Sequence, residues 1–218
     1  GLIADLGVSF HQFDQADRGF TFRLDVPLDM RMNRNGKVTA AILVNSSDEQ
    51  SIADILYKYG DLTNSRRIAK EILAAREKKQ ISTTGDLVEA IKKLSPHGQE
   101  HKFYAKVFQA LRIEVNHEID YLKDMLSQSL QMLNSGGRLV VITYHSLEDR
   151  IVKNFMRTGN FEGVTEKDFY GNNETPFRLI SKKGIVPGPL EIARNSRSRS
   201  ARLRIAESVC KKLDTLAA

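Results

Sequence analysis

The first group suited to chemistry is a carboxylate followed by polar residues near the start of the chain. An apolar run over residues 2–6 is typical of a strand that is buried on both faces of a parallel sheet. Asp5 falls at the end of this strand, and Gly7, Ser9 and Gln12 follow in a predicted loop. Because ligands of open α/β sheets bind beyond the carboxyl ends of the strands, these groups suit the wall of a site for a small polar ligand. The structural alternative is an ordinary strand end, with Asp5 capping a turn.

A second candidate group follows a strand that is predicted over residues 138–144. His145 lies just beyond the carboxyl end of that strand, and Ser146 and Asp149 open the next helix. The spacing of Ser146 and Asp149 predicts a capping box, with Asp in place of the usual Glu. Adjacent residues at a helix start cannot readily form a nucleophile–base–orienter relay, and no Gly-x-Ser-x-Gly elbow is present. His145 is therefore the better candidate for a functional side chain.

A third feature is a basic segment that contains five arginines within residues 194–204. Apolar and arginine residues alternate over 201–205, which predicts a half-buried strand with a basic face that includes Arg202. Arg197 and Arg199 precede this strand in a serine-rich loop. Two interpretations fit this pattern. The segment either contacts phosphate groups or is a basic edge strand that binds no such ligand.

The elements that position these groups are strands and helices together. Three short amphipathic helices are predicted between residues 39 and 95, the first capped by Ser47 and stopped near Gly60. They indicate a small helical subdomain inserted into an α/β domain. The second of them is strongly basic, and it either faces a phosphate backbone or is a solvated face. Longer helices are predicted over 102–116 and 117–133, and a further strand over 177–181.

An irregular stretch over residues 15–35 carries aromatic, acidic and arginine side chains without clear periodicity. Long loops of this kind are usually functional. The alternative is a packed surface loop whose Phe and Met side chains belong to the core.

Composition narrows the class of protein. With 218 residues, 41% hydrophobic and 28% charged, the chain has the profile of a globular protein. No apolar run reaches the roughly 20 residues that span a bilayer, so no membrane association is expected. The single cysteine, Cys210, fits a reducing compartment, and no Cys/His cluster has metal-ligand spacing, so no metal is expected. The net charge of +6 favours a polyanionic partner.

Four ordered stretches carry a family resemblance. They are Asp5-Leu-Gly-Val-Ser-Phe-His-Gln12, with Arg18-Gly-Phe-Thr-Phe22 and Pro27-Leu-Asp-Met-Arg-Met32 behind it; Phe108-Gln-Ala-Leu-Arg-Ile-Glu-Val-Asn116; His145-Ser-Leu-Glu-Asp-Arg150; and Asn195-Ser-Arg-Ser-Arg-Ser-Ala-Arg-Leu-Arg204. Each is weak alone, but the ordered set closely resembles the bacterial ribosomal RNA small-subunit methyltransferase H family (MraW type), along essentially the whole chain.

The resemblance implies the C-terminal part of a Rossmann-like, S-adenosylmethionine-dependent methyltransferase sheet with an inserted all-helical subdomain. The implied reaction transfers a methyl group to N4 of a cytidine in the decoding region of 16S rRNA. In that family the residues matching Asp5 and Gln12 contact S-adenosylmethionine, and Gly7 lies between them in the same motif. Loop carbonyls around Gly7 to Ser9 are the first candidates for accepting hydrogens from N4, and the side chain of His145 is the second. Contacts with RNA are assigned to six residues, namely Arg31, Arg112, Asn116, Arg197, Arg199 and Arg202.

The sequence also departs from the family pattern. Phe10 stands where the family usually has a second serine, and Ser196 replaces a usual proline. The first strands of the family, with a Gly-Gly-His cofactor loop, are expected before Gly1. The chain is therefore interpreted as a fragment that lacks the N-terminal part of its domain, and we expect it to bind cofactor weakly or not at all by itself.

These interpretations define a domain plan and three hypotheses. The methyltransferase domain is assigned to residues 1–38 and 101–218, and the helical substrate-binding subdomain to residues 39–100. The expected partner is 16S rRNA or the small ribosomal subunit, in the cytoplasm, and a homodimer is left open. The alternatives to a cytidine N4-methyltransferase are a non-catalytic RNA-binding module and a small-molecule α/β enzyme whose basic face is incidental.

Overall fold

The computed structural model describes residues 1–7, 16–165, 170 and 175–209, so that Ser9 and Gln12 lie outside the described residues. The described residues form two compact units. The sheet unit contains residues 1–7 and the described residues from Ile119 onward, and the helical unit contains those up to Glu118.

The sheet unit has four strands among its described residues. They are β1 (Leu2–Asp5), β2 (Arg138–Thr143), β3 (Phe177–Leu179) and β4 (Arg202–Ser208), in the order β1-β2-β4-β3. β1 runs parallel to β2, whereas β4 is antiparallel to both of its neighbours. Because β1 and β2 are parallel, their carboxyl ends meet at one edge of the sheet. The predicted strands 138–144 and 177–181 are confirmed with slightly shorter bounds.

β1 differs from its predicted environment. The side chain of Ile3 is 80% exposed, so the expected burial on both faces is wrong for this strand. The physical reason is its place in the sheet: among the described strands β1 pairs only with β2. Asp5 is also exposed, which leaves its carboxylate accessible.

The helical unit contains five α-helices among its described residues. They are α1 (Ala40–Ser46), α2 (Glu49–Gly60), α3 (Ser65–Lys78), α4 (Thr84–Ile91) and α5 (Glu100–Val115). Their shared core is made of aliphatic side chains at helical spacing, such as Ile52 and Leu56 in α2 and Ile68 and Ile72 in α3. The three helices predicted between residues 39 and 95 are thus confirmed, and α1 precedes them as an additional short helix.

The caps of these helices correct one prediction. Asp48, and not Ser47, caps α2, because its carboxylate accepts the backbone N–H of Ser51 at 2.7 Å. Ser47 instead ends α1, where its N–H donates to the carbonyl of Leu43. The predicted stop near Gly60 is confirmed, and the left-handed residue that ends α2 is Asp61, with φ of 49°.

The irregular stretch before α1 is a packed loop. Phe20 and Met30 are buried, as the core alternative for this stretch predicts, and Leu28 is buried with them. The N–H of Leu28 donates to the carbonyl of Ser82, and the N–H of Thr84 donates to the carbonyl of Val26. Residues 16–38 therefore group with the helices.

The boundaries of the two units differ from the predicted domain plan. Residues 16–38 and 101–118 belong to the helical unit, whereas the sequence assigned them to the methyltransferase domain. Compactness alone does not define a functional domain, so the plan of 1–38, 39–100 and 101–218 stays a prediction.

The helices of the sheet unit complete the α/β class predicted from the sequence. They are α6 (Glu118–Met132), α7 (Ser146–Thr158) and α8 (Pro189–Arg194). The buried face of α7 comprises Ile151, Val152, Phe155 and Met156, and the helix packs on β2, β3 and β4. Among the described residues, no helix combines the length and apolar character needed to cross a bilayer.

Candidate functional site

The carboxyl ends of β1 and β2 bring Asp5 and Tyr144 together. Asp5 is the last residue of β1 and lies opposite Ile142, and Tyr144 directly follows β2. The hydroxyl group of Tyr144 donates a hydrogen bond of 2.9 Å to Oδ1 of Asp5. Burial, together with this bond and the negative charge of Asp5, raises the pKa of Tyr144 to about 12. The phenol therefore stays protonated, and remains a donor, throughout the neutral range.

Gly7 lies next to this pair. Its φ of +93° is a conformation that side chains rarely adopt, and a Cβ built at this position would lie 3.8 Å from Cδ2 of Tyr144. The turn after β1 therefore requires glycine mainly for its backbone conformation. Asp5 and Gly7 are the parts of the predicted ligand wall that fall within the described residues, and Ser9 and Gln12 lie outside them. Tyr144 adjoins this wall but was not predicted to belong to it.

His145 has a structural position at the start of α7. It is the N-cap residue, and its Nδ1 accepts the N–H of Glu148 at 3.4 Å, while its Nε2 lies 3.0 Å from Oε1 of Glu148. The capping box predicted for Ser146 and Asp149 is therefore wrong, because the helix begins one residue earlier than that pairing requires. A catalytic role for His145 stays a prediction, and both of its ring nitrogens already face its own helix.

Asp149 instead makes an ion pair with β4. Nε and Nη2 of Arg204 contact its two carboxylate oxygens at 2.6 and 2.8 Å, and both side chains are largely buried. The predicted basic face of β4 is therefore wrong for Arg204, whose register along the strand points it at α7. Because its carboxylate is occupied in this way, Asp149 offers no support for the disfavoured serine-hydrolase relay.

The side chain of Arg31 makes its contacts within the loop to which Arg31 belongs. Its guanidinium makes a two-point contact with Asp29, with both N–O distances at 2.7 Å, and donates to the carbonyls of Arg34 and Gly36. Burial raises the pKa of Asp29, but the hydrogen bonds and the charge of Arg31, together with the charge of Arg18, outweigh this effect and lower that pKa overall. Arg31 was predicted to contact RNA, and the structure uses its donors inside the chain.

Arg112 and Asn116 lie at the end of α5 and also turn inward. Arg112 makes a two-point ion pair with Glu118 at 2.8 and 3.0 Å, with its side chain 13% exposed. The amide nitrogen of Asn116 donates to the carbonyls of Met30 and Arg112, and its oxygen accepts the N–H of Met32 at 2.6 Å. Contacts of these two residues with RNA stay predictions. Asn116 fixes the loop before α1, and Arg112 fixes the end of α5 through Glu118.

The remaining predicted RNA contacts lie on the surface before and at the start of β4. Arg197, Arg199 and Arg202 are exposed, and Arg202 lies 3.5 Å from Asp149 with its side chain half exposed. The first two sit in a 3-10 turn, Ser196–Ser200, which is capped by the side chain of Asn195. These three arginines are the predicted RNA contacts that lie among the exposed residues.

Tyr144 was not predicted from the sequence, although its position at the end of a predicted strand was one part of the signal. Tyr144 ends the predicted strand 138–144 just as Asp5 ends the first strand. Two parallel neighbouring strands present such terminal residues at one edge, so the pair follows from the order of the strands. That order was not predictable from either segment alone, because pairing depends on the whole sheet.

The chain is similar to known proteins along nearly its whole length. The family model of the MraW methylase family matches residues 1–209. The ribosomal RNA small subunit methyltransferase H of Parabacteroides distasonis is 58% identical over 209 residues, which cover 96% of this chain and 68% of the relative. The proteins of the same name from Bacteroides fragilis and Flavobacterium psychrophilum are 58% and 52% identical, and the matches cover 94% and 95% of this chain and 68% and 71% of the relatives. With this match along nearly its full length, and with an α/β fold to accompany it, the chain belongs to the MraW methylase family.

Proposed function

We propose that this chain is part of an S-adenosylmethionine-dependent methyltransferase that modifies N4 of a cytidine in the decoding region of 16S rRNA, in the cytoplasm. The family membership supports methyl transfer, and the relatives' names support small-subunit rRNA as the substrate. The structural observation that supports the proposal most directly is the exposed carboxylate of Asp5 at the carboxyl end of a parallel strand.

The residues present fit a polar, cationic methyl donor. Tyr144 occupies Oδ1 of Asp5, and no described residue donates a hydrogen bond to Oδ2. This oxygen is therefore available to ligand hydroxyl or ammonium groups. The positive φ of Gly7 turns the chain sharply after β1, where a backbone can approach a ligand closely. Gln12, which lies outside the described residues, is proposed as a second residue that contacts the methyl donor.

The protein has little acid–base work to do in this reaction. The bound donor supplies an activated methyl group on a sulfonium, so the chain must hold the acceptor amine in line and exclude water. Loop carbonyls between Gly7 and Ser9 are proposed to accept the N4 hydrogens and to orient the amine lone pair. A base in a stacked RNA segment has to leave its stack to reach this edge.

The helical unit offers a surface for the RNA backbone. α3 carries five cations and two acids, which is half of the net charge of the whole chain. Four of these cations are exposed and have no side-chain partner among the described residues: Arg66, Arg67, Lys70 and Lys78. The same exposed face includes one acid, Glu77. We propose that this face, together with Arg197, Arg199 and Arg202, contacts phosphates.

Replacing Asp5 tests the donor site. In the complete protein as its gene encodes it, Asp5→Ala is expected to weaken S-adenosylmethionine binding about 10- to 100-fold, because hydrogen bonds to a charged group are lost. Isothermal titration calorimetry measures this affinity. Asp124→Ala, which removes an exposed carboxylate on α6, is the matched control. Unchanged affinity in Asp5→Ala refutes the assignment of this residue. A complete protein that binds no S-adenosylmethionine instead favours the alternative of an RNA-binding module without a cofactor.

A further inference from the structure

Tyr144 occupies a defined place beside two residues of the proposed donor site. Its hydroxyl group contacts Oδ1 of Asp5 at 2.9 Å, and its ring lies alongside Gly7. No role for this residue follows from the family motifs or from the reaction as described above.

The backbone of Tyr144 is anchored independently of that contact. Its N–H donates to Oε2 of Glu148 in the first turn of α7 at 3.0 Å. The end of β1 is also anchored through the backbone, since the N–H of Leu6 donates to the carbonyl of Ile142 in β2 at 3.1 Å. The phenol therefore reaches Asp5 from a rigid base on β2 and α7, and not from a loose surface loop.

The chemistry of the pair is asymmetric. A neutral phenol supplies one donor, and it satisfies one lone pair of the carboxylate without neutralising its charge. An exposed aspartate otherwise samples several rotamers, and the hydrogen bond favours those in which Oδ1 faces the hydroxyl group of Tyr144. Lysine or arginine at this position would neutralise the charge that a cationic donor requires.

We propose that Tyr144 is a positioning residue that fixes the Asp5 carboxylate for the methyl donor. This inference rests on the proposed function, because it assumes that Asp5 contacts the donor. It adds that the affinity for the donor depends on the Tyr144 hydroxyl group, which contacts Asp5 and not the donor itself. Loss of the hydroxyl is expected to lower donor affinity about three- to tenfold, which is the scale of one partly exposed hydrogen bond.

The first test measures the contact itself, without any ligand and without altering Tyr144. The chain is labelled with ¹³C at the tyrosine Cζ atoms, and the phenol of Tyr144 is titrated by NMR. Asp5→Asn is expected to lower the pKa of Tyr144, since it removes a negative charge next to the hydroxyl. Asp124→Asn is the control. An unchanged pKa of Tyr144 in Asp5→Asn overturns the inference.

The second test measures donor affinity in the complete protein by calorimetry with S-adenosylmethionine. Tyr144→Phe keeps the ring and removes only the hydroxyl, and Tyr121→Phe on the exposed face of α6 is the matched control. We expect weaker binding in Tyr144→Phe, with an unchanged melting temperature, and no effect in Tyr121→Phe.

The outcomes separate the two proposals. If Asp5→Ala loses affinity and Tyr144→Phe does not, the positioning role is overturned and the proposed function stands. If the unmodified protein does not bind S-adenosylmethionine, or if Asp5→Ala binds it normally, the proposed donor site fails and the inference fails with it. If Tyr144→Phe melts at a lower temperature, the NMR titration alone decides, because it needs no change at Tyr144.

Discussion

Asn116 makes three hydrogen bonds through its side chain, and all three partners lie within the chain. Two of these partners, Met30 and Met32, belong to the loop before α1, where Met30 is buried with φ of +62°. A non-glycine residue in that region is strained and persists only when its surroundings hold it. We therefore attribute the shape of this loop to Asn116, with Arg31 as a support.

Replacing Asn116 tests this structural role. Asn116→Asp keeps the acceptor for Met32 but removes both donors, and it places a negative charge beside two carbonyl oxygens. It is expected to lower the free energy of unfolding by about 2 kcal/mol, measured by urea denaturation. Asn64→Ala is the control, because the Asn64 side chain makes no capping hydrogen bond. An RNA-contact role without a structural one predicts unchanged stability in Asn116→Asp.

At the scale of elements, β4 and α7 are joined by the buried ion pair of Arg204 and Asp149. Their side chains are 8% and 16% exposed. A pair of this kind adds little over an apolar contact of the same shape, but breaking it leaves an unpaired charge in the interior.

Single and double replacements separate these two effects. Asp149→Ala is expected to destabilise the sheet unit by about 3 kcal/mol, whereas the double variant Asp149→Leu, Arg204→Met stays within about 1 kcal/mol of the original chain. Thermal and urea unfolding followed by circular dichroism give both values. A double variant that is as unstable as the single one contradicts this account.

The start of α4 is held by a capping box that is sensitive to pH. The side chain of Thr83 accepts the N–H of Asp86, and the carboxylate of Asp86 accepts the N–H of Thr83 and contacts Lys79. The hydrogen bond from Lys79, followed by those from Ser82 and Thr83, lowers the pKa of Asp86 to about 2. The ionised carboxylate thus stabilises the helix start.

The pH dependence follows from that lowered pKa. The stabilisation is complete above the unfolded-state pKa near 4 and is lost as pH falls from about 4 towards 2. Asp86→Asn is expected to cost roughly 1 kcal/mol at pH 7, after allowance for solvent screening, and almost nothing below pH 2. Urea denaturation at both pH values measures the difference, with Glu77→Gln as the control. A cost that is equal at both pH values contradicts a role for the charge.

At the scale of the whole molecule, the net charge of +6 is unevenly distributed. α3 holds half of it, whereas α2 and α4 each contain two acids, against one base in α2 and none in α4. A polyanion therefore meets a localised basic surface, and counterion release makes such binding depend strongly on salt.

Salt dependence distinguishes RNA binding from an incidental basic face. With about five phosphate contacts on single-stranded RNA, affinity is expected to fall about 100-fold between 50 and 200 mM salt, measured by fluorescence anisotropy with a 16S decoding-region fragment. Lys70→Gln removes one contact and lowers the slope of log affinity against log salt by about 0.7. Lys102→Gln on α5 removes the same charge elsewhere and leaves the slope unchanged. A salt-independent affinity favours the small-molecule hypothesis.

The sequence alone determined the family and most of the elements. The family is recognised from short motifs in a fixed order, which can be read from the sequence. Helices such as α3 and α6 are recognised from the helical spacing of their apolar residues. Segments whose structure depends on neighbours were less predictable. The exposure of Ile3 depends on which strands flank β1, and the burial of Arg204 depends on its register against α7.

Only the tertiary structure decided which polar side chains are available to a ligand. From the sequence, four side chains are equally suitable for binding a ligand: Asp5, Arg31, Arg112 and His145. In the structure, Arg31 and Arg112 form ion pairs inside the chain, and His145 caps a helix. Asp5 keeps an accessible carboxylate, held by Tyr144 from the next strand. The physical reason is that a hydrogen-bonding group is assigned by its nearest partner in space, and the distance between residues 5 and 144 in space is not encoded in either segment by itself.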